Sequence, residues 1–253
     1  MSAVSGATSA WVRRFHPDDH AETRLVCFPH AGGSATYYFP VSRALSGRAG
    51  VLAIQYPGRQ DRRAERCIDD IRELADLVVE ELRPFADRPL ALFGHSLGAT
   101  LAFEVALRLE ADGILPLVLF ASGRRSPSRH RDERVHLGTD QQLIGTLERM
   151  SGTDAQVLRD EELVRTLLPA IRGDYKAAET YRYRPGPPLA CPIVALRGDL
   201  DPEVTLDEAN AWAEHTTGSF TLHEYRGGHF FLNDHAAAVI ELINHYLTPG
   251  RSV

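Results

Sequence analysis

A serine between two glycines, a late histidine and two aspartates in one short loop are the side chains whose types and order suit nucleophilic chemistry. The run Leu90-Ala-Leu-Phe-Gly94-His95-Ser96-Leu97-Gly98-Ala99 reads as a strand, a Gly-x-Ser-x-Gly turn and the start of a buried helix, which is the pattern of a nucleophile elbow. A sharp strand-to-helix turn strains the backbone of the serine, and only small residues two positions to either side let the neighbouring backbones pass. Gly94 and Gly98 meet that demand. The helix that follows aims its N-terminus at the serine, so the amide of Leu97 and the positive end of the dipole face any oxyanion formed there. The competing interpretation is a glycine-rich turn with an idle serine, which the flanking strand and helix disfavour.

A serine hydroxyl is a weak nucleophile at neutral pH and needs a histidine base, itself oriented by a carboxylate. In an α/β-hydrolase these follow in the order Ser, Asp or Glu, His, the last two on loops after late strands. Of the eleven histidines, His229 alone directly follows the last strand-like run, Phe220–Tyr225, and Gly227 and Gly228 leave room for a close approach. The acid is Asp199 or Asp201, in the loop Arg197-Gly198-Asp199-Leu200-Asp201-Pro202, and spacing alone does not decide between them. Asp199 is placed to brace the turn, whereas Pro202 biases Asp201 to an extended backbone, which favours Asp201. His95 adjoins the serine, but adjacent side chains at a sharp turn point apart, so it is expected to pack or support. No HxxxH helix or cysteine partner accompanies the histidines, so no metal site is expected.

A second oxyanion donor should lie in the loop after an early strand. Val26-Cys27-Phe28 runs straight into Pro29-His30-Ala31-Gly32-Gly33-Ser34, which makes the amide of Ala31 the candidate. A phosphate cradle is the rival reading of His-Ala-Gly-Gly, but it lacks the GxGxxG or GK[ST] pattern.

Elements of the right kind surround these residues. Apolar runs of strand length occur at Leu25–Phe28, Val51–Gln55, Leu90–Phe93, Leu117–Ala121 and Ile193–Leu196, with an alternating run at Phe220–Tyr225. Between them, Ile71, Leu74, Val78, Leu82 and Phe85 mark one face of a helix that Asp69 or Asp70 could cap, and Ala99–Glu110 reads as a buried helix closed by Gly113. Strands alternating with helices imply a mainly parallel central sheet flanked by helices, with ligands outside the carboxyl ends of the strands. The connection from Gly123 to about Cys191 is too long for a simple crossover and carries helical patterns at Thr139–Met150 and at Asp160–Tyr181, the latter interrupted by Pro169 and Gly173. The expectation is one domain over residues 1–253 with an inserted helical lid at about 124–190. Ser2–Ala10 is small and polar enough to be disordered.

The 253 residues are 43% hydrophobic and 25% charged, as in an ordinary globular protein. A formal charge of −6 makes nucleic acid an unsuitable ligand. No basic start precedes an apolar block, and the longest uncharged stretch beyond the N-terminus, Pro89 to Phe103, is too short to span a bilayer. Cys27, Cys67 and Cys191 form no CxxC pair and point to a reducing compartment.

Together, Phe28-Pro-His-Ala-Gly-Gly33, Tyr56-Pro-Gly-Arg59, Gly94-His-Ser-Leu-Gly-Ala99, Gly198-Asp-Leu-Asp-Pro202 and Gly227-Gly-His-Phe-Phe-Leu232 resemble the type II thioesterases of polyketide and nonribosomal peptide assembly lines, over nearly the whole chain. The Gly-x-Ser-x-Gly turn alone would indicate only the α/β-hydrolase fold; the combination is more specific. The resemblance implies Ser96 as nucleophile, Asp201 as acid, His229 as base, and backbone donors at Ala31 and Leu97. Many relatives carry Met where this chain has Leu97, a difference to which a main-chain donor is indifferent. Arg59 is read as bracing a loop near the pocket, with no catalytic role.

The implied reaction is hydrolysis of an acyl thioester on the phosphopantetheine arm of an acyl or peptidyl carrier protein, in the cytoplasm, by a monomer that needs no bound cofactor. Arg124, Arg125, Arg129, Arg131 and Arg134, offset only by Asp132 and Glu133, form either a solvated loop or an attractor for an acidic carrier or its phosphate. Three alternatives stand beside this one: a carboxylesterase or lipase on the same fold, a non-catalytic binding protein, and a macrocyclising terminal domain cut from a synthase. The chain's free N-terminus and the lack of an attached carrier domain favour a separate protein over the last.

Overall fold

The computed structural model describes residues 9–150 and 161–247. Most of Ser2–Ala10, and residues 151–160 within the expected insertion, therefore lie outside the described residues. Seven strands, β1 (Val12–Arg13), β2 (Arg24–Phe28), β3 (Gly50–Ile54), β4 (Leu90–His95), β5 (Val118–Ser122), β6 (Ile193–Gly198) and β7 (Phe220–Tyr225), form one sheet in the order β1-β3-β2-β4-β5-β6-β7. Only β1 runs antiparallel to its neighbour, Val12 pairing with Ile54; the other pairings are parallel.

The strands are apolar on both faces because helices cover both. Side chains alternate along β2, so Val26 and Phe28 join the cluster that contains Leu74, Leu101 and Phe103, whereas Leu25 and Cys27 join the one that contains Phe120, Val239 and Ile243. The first cluster is covered by α2 (Ile71–Leu82) and α3 (Leu97–Ala111), the second by α1 (Phe39–Ala44) and, at the chain's end, α8 (Ala236–Leu247). Asp70 is the residue that caps α2, accepting from the amides of Arg72 and Glu73 at 2.7 and 3.0 Å. Beyond α3, Gly113 takes φ +80° and the Ile114 amide turns back to the Leu109 carbonyl at 2.8 Å, closing the helix as expected.

Between β5 and β6 lie α4 (Asp140–Met150) and α5 (Glu161–Thr180). Helix α5 runs unbroken through Pro169 and Gly173, against the expectation of an interruption there. Proline removes one backbone bond, and the burial of Leu168, Ala170 and Ile171 on either side of it opposes that loss. Leu168 and Ile171 pack with Leu143 and Leu147 of α4 in a small cluster of their own, while Ala177, further along α5, belongs to the main core. The short helices α6 (Leu206–Asn210) and α7 (Phe231–Asp234) follow β6 and β7 respectively.

Candidate active site

Ser96 stands between the end of β4 and the start of α3 with φ 55° and ψ −120°, a strained conformation for a residue with a side chain. Close packing holds it there. A Cβ on Gly94 would sit 2.1 Å from the Gly98 carbonyl oxygen, and one on Gly98 would sit 2.1 Å from that of Phe28. The Ser96 amide donates to the Ser122 carbonyl of β5 at 2.8 Å, tying the elbow to the neighbouring strand.

The loops after β6 and β7 meet backbone to backbone, since a Cβ on Gly198 would lie 2.3 Å from the Gly228 carbonyl oxygen. The contact brings Asp201 and His229 together: Asp201 Oδ2 lies 2.9 Å from His229 Nδ1, with both side chains buried. The other oxygen of Asp201 accepts the Glu203 amide at 2.8 Å, which fixes the carboxylate plane. Asp199 instead accepts the Gly227 amide at 2.8 Å and braces the turn.

Ser96, His229, Ala31 and Leu97 line one cavity of about 180 Å³, whose wall is completed by Leu147 and Met150 of α4 and by Tyr175 and Ala178 of α5. No hydrogen bond joins Ser96 to His229 among the described residues; such bonds are often loose in a ligand-free site and tighten with substrate. Among the described residues the amides of Ala31 and Leu97 have no protein acceptor either. Two unengaged N–H groups and a hydroxyl on one wall are what a developing oxyanion needs.

A wall of rings backs the site. His95 packs on His229 with centroids 4.9 Å apart and engages Ser122 Oγ through Nδ1 at 3.0 Å, so it supports the histidine rather than the serine. His30 packs between Tyr37 and Phe230. Burial pushes His30 down to about 3 and His95 well below the usual histidine range, so both rings are neutral at physiological pH. Among the described residues no cluster of three His, Cys, Asp or Glu side chains suits a metal ion, and no helix is long and apolar enough to cross a membrane.

The arginine run does not present an unpaired basic face. Arg125 pairs with Glu133, Arg129 with Glu214, Arg131 with Glu208 and Arg134 with Asp132. Arg124 reaches Thr100 Oγ1 at 3.0 Å and the Ala178 carbonyl at 3.2 Å. Sequence reasoning missed Asp174, which reaches the Ala31-Gly32 loop from α5 and pairs there with Arg59. It carries no motif of its own, and its only forerunner in the sequence is the Pro-Gly-Arg run that supplies its partner.

Residues 23–247 match the Thioesterase family, described as a thioesterase domain. The chain belongs to that family. It is 50% identical over 252 residues to the probable cadicidin biosynthesis thioesterase of Streptomyces griseus, covering 100% of this chain and 70% of that protein. It is also 50% identical over 243 residues to thioesterase PikA5 of Streptomyces venezuelae, covering 95% of this chain and 86% of the other. The solved structure of the type II thioesterase BorB from the borrelidin biosynthetic cluster matches with a TM-score of 0.91 at 55% identity, over 96% of this chain and 100% of that one. The expected fold and the expected type II thioesterase family are both borne out, and the protein is an acyl thioesterase of the serine hydrolase class.

Proposed function

We propose that Ser96, His229 and Asp201 form the catalytic triad, that the amides of Ala31 and Leu97 hold the oxyanion, and that the substrate is an acyl group on the phosphopantetheine arm of an acyl or peptidyl carrier protein of a polyketide or nonribosomal peptide synthase. One observation carries this reading: the His229–Asp201 contact at 2.9 Å opens onto the same cavity as the strained Ser96. His229 takes the proton of Ser96 as its oxygen attacks the thioester carbonyl, and the negative charge develops on the carbonyl oxygen between the two amides. Collapse of this intermediate breaks the carbon–sulfur bond, and His229 returns the proton to the departing pantetheine thiolate. Water, deprotonated by His229, then attacks the acyl-serine and releases the carboxylic acid and the free serine.

Helices α4 and α5, within residues of about 124–190, serve in this reading as a lid over the acyl group. The chain acts as a single-domain monomer in the cytoplasm. The test is intact-mass analysis of carrier proteins loaded with a panel of acyl groups, incubated with the enzyme or with Ser96→Ala. Loss of the acyl mass with the wild-type protein only, and weaker action on matched oxygen esters, is the expected result. Equal activity of Ser96→Ala would overturn the triad, and a preference for oxygen esters would overturn the substrate class.

A further inference from the structure

The cavity wall that carries Ala31 is held from behind by residues distant in sequence. His30 to Gly33 form a tight turn, with the Gly33 amide donating to the His30 carbonyl at 2.9 Å and Gly32 at φ +75°. A positive φ at the third residue is the mark of a type II turn, in which the central peptide is flipped relative to type I. That central peptide ends in the Gly32 amide, which donates to Asp174 Oδ2 at 2.8 Å. The same carboxylate oxygen takes the Nη2 donor of Arg59, and the two side chains are only 2% and 4% exposed. Arg59 is itself seated: Nη1 donates to the Pro57 carbonyl at 3.0 Å, and its guanidinium lies 5.0 Å from the centre of the Tyr56 ring. The Tyr56 hydroxyl returns to the Pro29 carbonyl at 3.0 Å, at the start of the same turn. Ile171, one helical turn before Asp174, lies over Gly32, so a Cβ there would meet its Cγ1 at 3.0 Å.

From this network we infer that Asp174, seated by its pairing with Arg59, is a positioning residue for the oxyanion hole through the acceptor it offers the Gly32 amide, a proposal that rests on the assignment of Ala31 as a donor made above. The carboxylate of α5 holds the central peptide of the turn in its flipped orientation. The closing bond to the His30 carbonyl fixes the preceding His30–Ala31 peptide, whose N–H lies trans to that carbonyl, and so leaves the Ala31 amide directed at the cavity. Arg59 pairs with the buried carboxylate and holds it in place. Neither side chain is among the residues that line the cavity, so neither touches substrate. Because Asp174 belongs to α5, the hole is complete only when this segment of the helix is seated on the body of the protein.

The test compares two double variants of the full chain that both remove the buried charge pair. Arg59→Met with Asp174→Asn keeps an oxygen acceptor for the Gly32 amide; Arg59→Met with Asp174→Leu does not. Replacing both members of a buried ion pair by groups of similar volume is often well tolerated, whereas removing one is not. Each is assayed on a small soluble acyl thioester and with a boronic acid that forms a tetrahedral adduct at the serine. The Met/Leu protein should lose about 10- to 100-fold in kcat with KM changed by less than about 3-fold, and bind the boronate more weakly by a similar factor. The Met/Asn protein should stay within about 5-fold of wild type, since its acceptor remains. Equal kcat and boronate affinity in the two double variants would overturn the proposal, as would a loss in Met/Leu that falls on KM alone. Should Met/Leu fail to fold, Arg59→Met with Asp174→Ala carries the same comparison. Failure of the triad is a separate outcome, read from wild type and Ser96→Ala by labelling with a serine-directed phosphonate.

Discussion

Asp199 and Asp201, two positions apart in one turn, hold different partners: Asp199 takes the amide of Gly227 at 2.8 Å, and Asp201 takes the ring of His229 at 2.9 Å. One carboxylate orients the loop that carries the histidine; the other orients the histidine itself. Asp201→Asn should therefore lower kcat by about 10⁴-fold, since an amide at this position favours the wrong tautomer of the ring. Asp199→Ala should cost about 1 kcal/mol of stability, the worth of one hydrogen bond, and leave kcat within about 10-fold. Steady-state kinetics on a soluble thioester and denaturant unfolding of both variants check the division of labour. A larger kinetic loss in the Asp199 variant would reverse it.

The strain at Ser96 makes a second prediction that does not depend on turnover. At φ 55° and ψ −120° any residue with a Cβ is held in a sparsely populated region, at a cost of about 1–3 kcal/mol. Ser96→Ala and Ser96→Gly both delete the hydroxyl, but only glycine relieves the strain. Glycine also gives the unfolded chain more freedom, by roughly 0.5–1 kcal/mol, which offsets part of the gain. Ser96→Gly should remain the more stable of the two by about 1 kcal/mol. Denaturant midpoints measured side by side decide it, and equal midpoints would mean that the backbone at 96 stores no strain.

The sheet was legible in the sequence wherever a strand is buried on both faces. Leu90–Phe93 and Ile193–Leu196 are continuous apolar runs because helices lie above and below them. β1 left no such trace: it is two residues long, and its pairing with Ala53 and Ile54 is set by the strand it joins. The elbow was legible because Gly94 and Gly98 are demanded by local crowding, which a sequence records at fixed spacing. The contacts of Asp174 were not. They join residues 142 and 115 positions apart, and an aspartate inside an amphipathic helix looks like any solvated position until the fold closes over it. The pairing of the arginine run was illegible for the same reason, since the carboxylates that meet Arg129 and Arg131, Glu214 and Glu208, lie 85 and 77 positions away.

The buried histidines give the protein a defined response to acid. His30 falls from the usual 6.5 to about 3 because burial disfavours its charged form, with the His229 ring and the Arg59 guanidinium acting in the same direction. His95 moves the same way, again chiefly through burial. Below pH 6.5 the unfolded chain takes up a proton at each of these residues that the folded chain refuses, so stability is full above about 6.5 and declines as pH falls from there towards 3. For His30 alone the slope is about 1.4 kcal/mol per pH unit, which amounts to about 2 kcal/mol at pH 5. Its Nδ1 has no hydrogen-bond partner among the described residues, so His30→Phe removes an unpaired polar atom while keeping a ring against Tyr37 and Phe230. Unfolding free energies of wild type and His30→Phe at pH 7.5 and pH 5 isolate the contribution of His30, since every other ionisable group is common to both proteins. The variant should lose about 2 kcal/mol less than wild type over that interval. Equal losses would show that the folded protein accepts a proton at His30, and that the ring wall behind His229 is open to water.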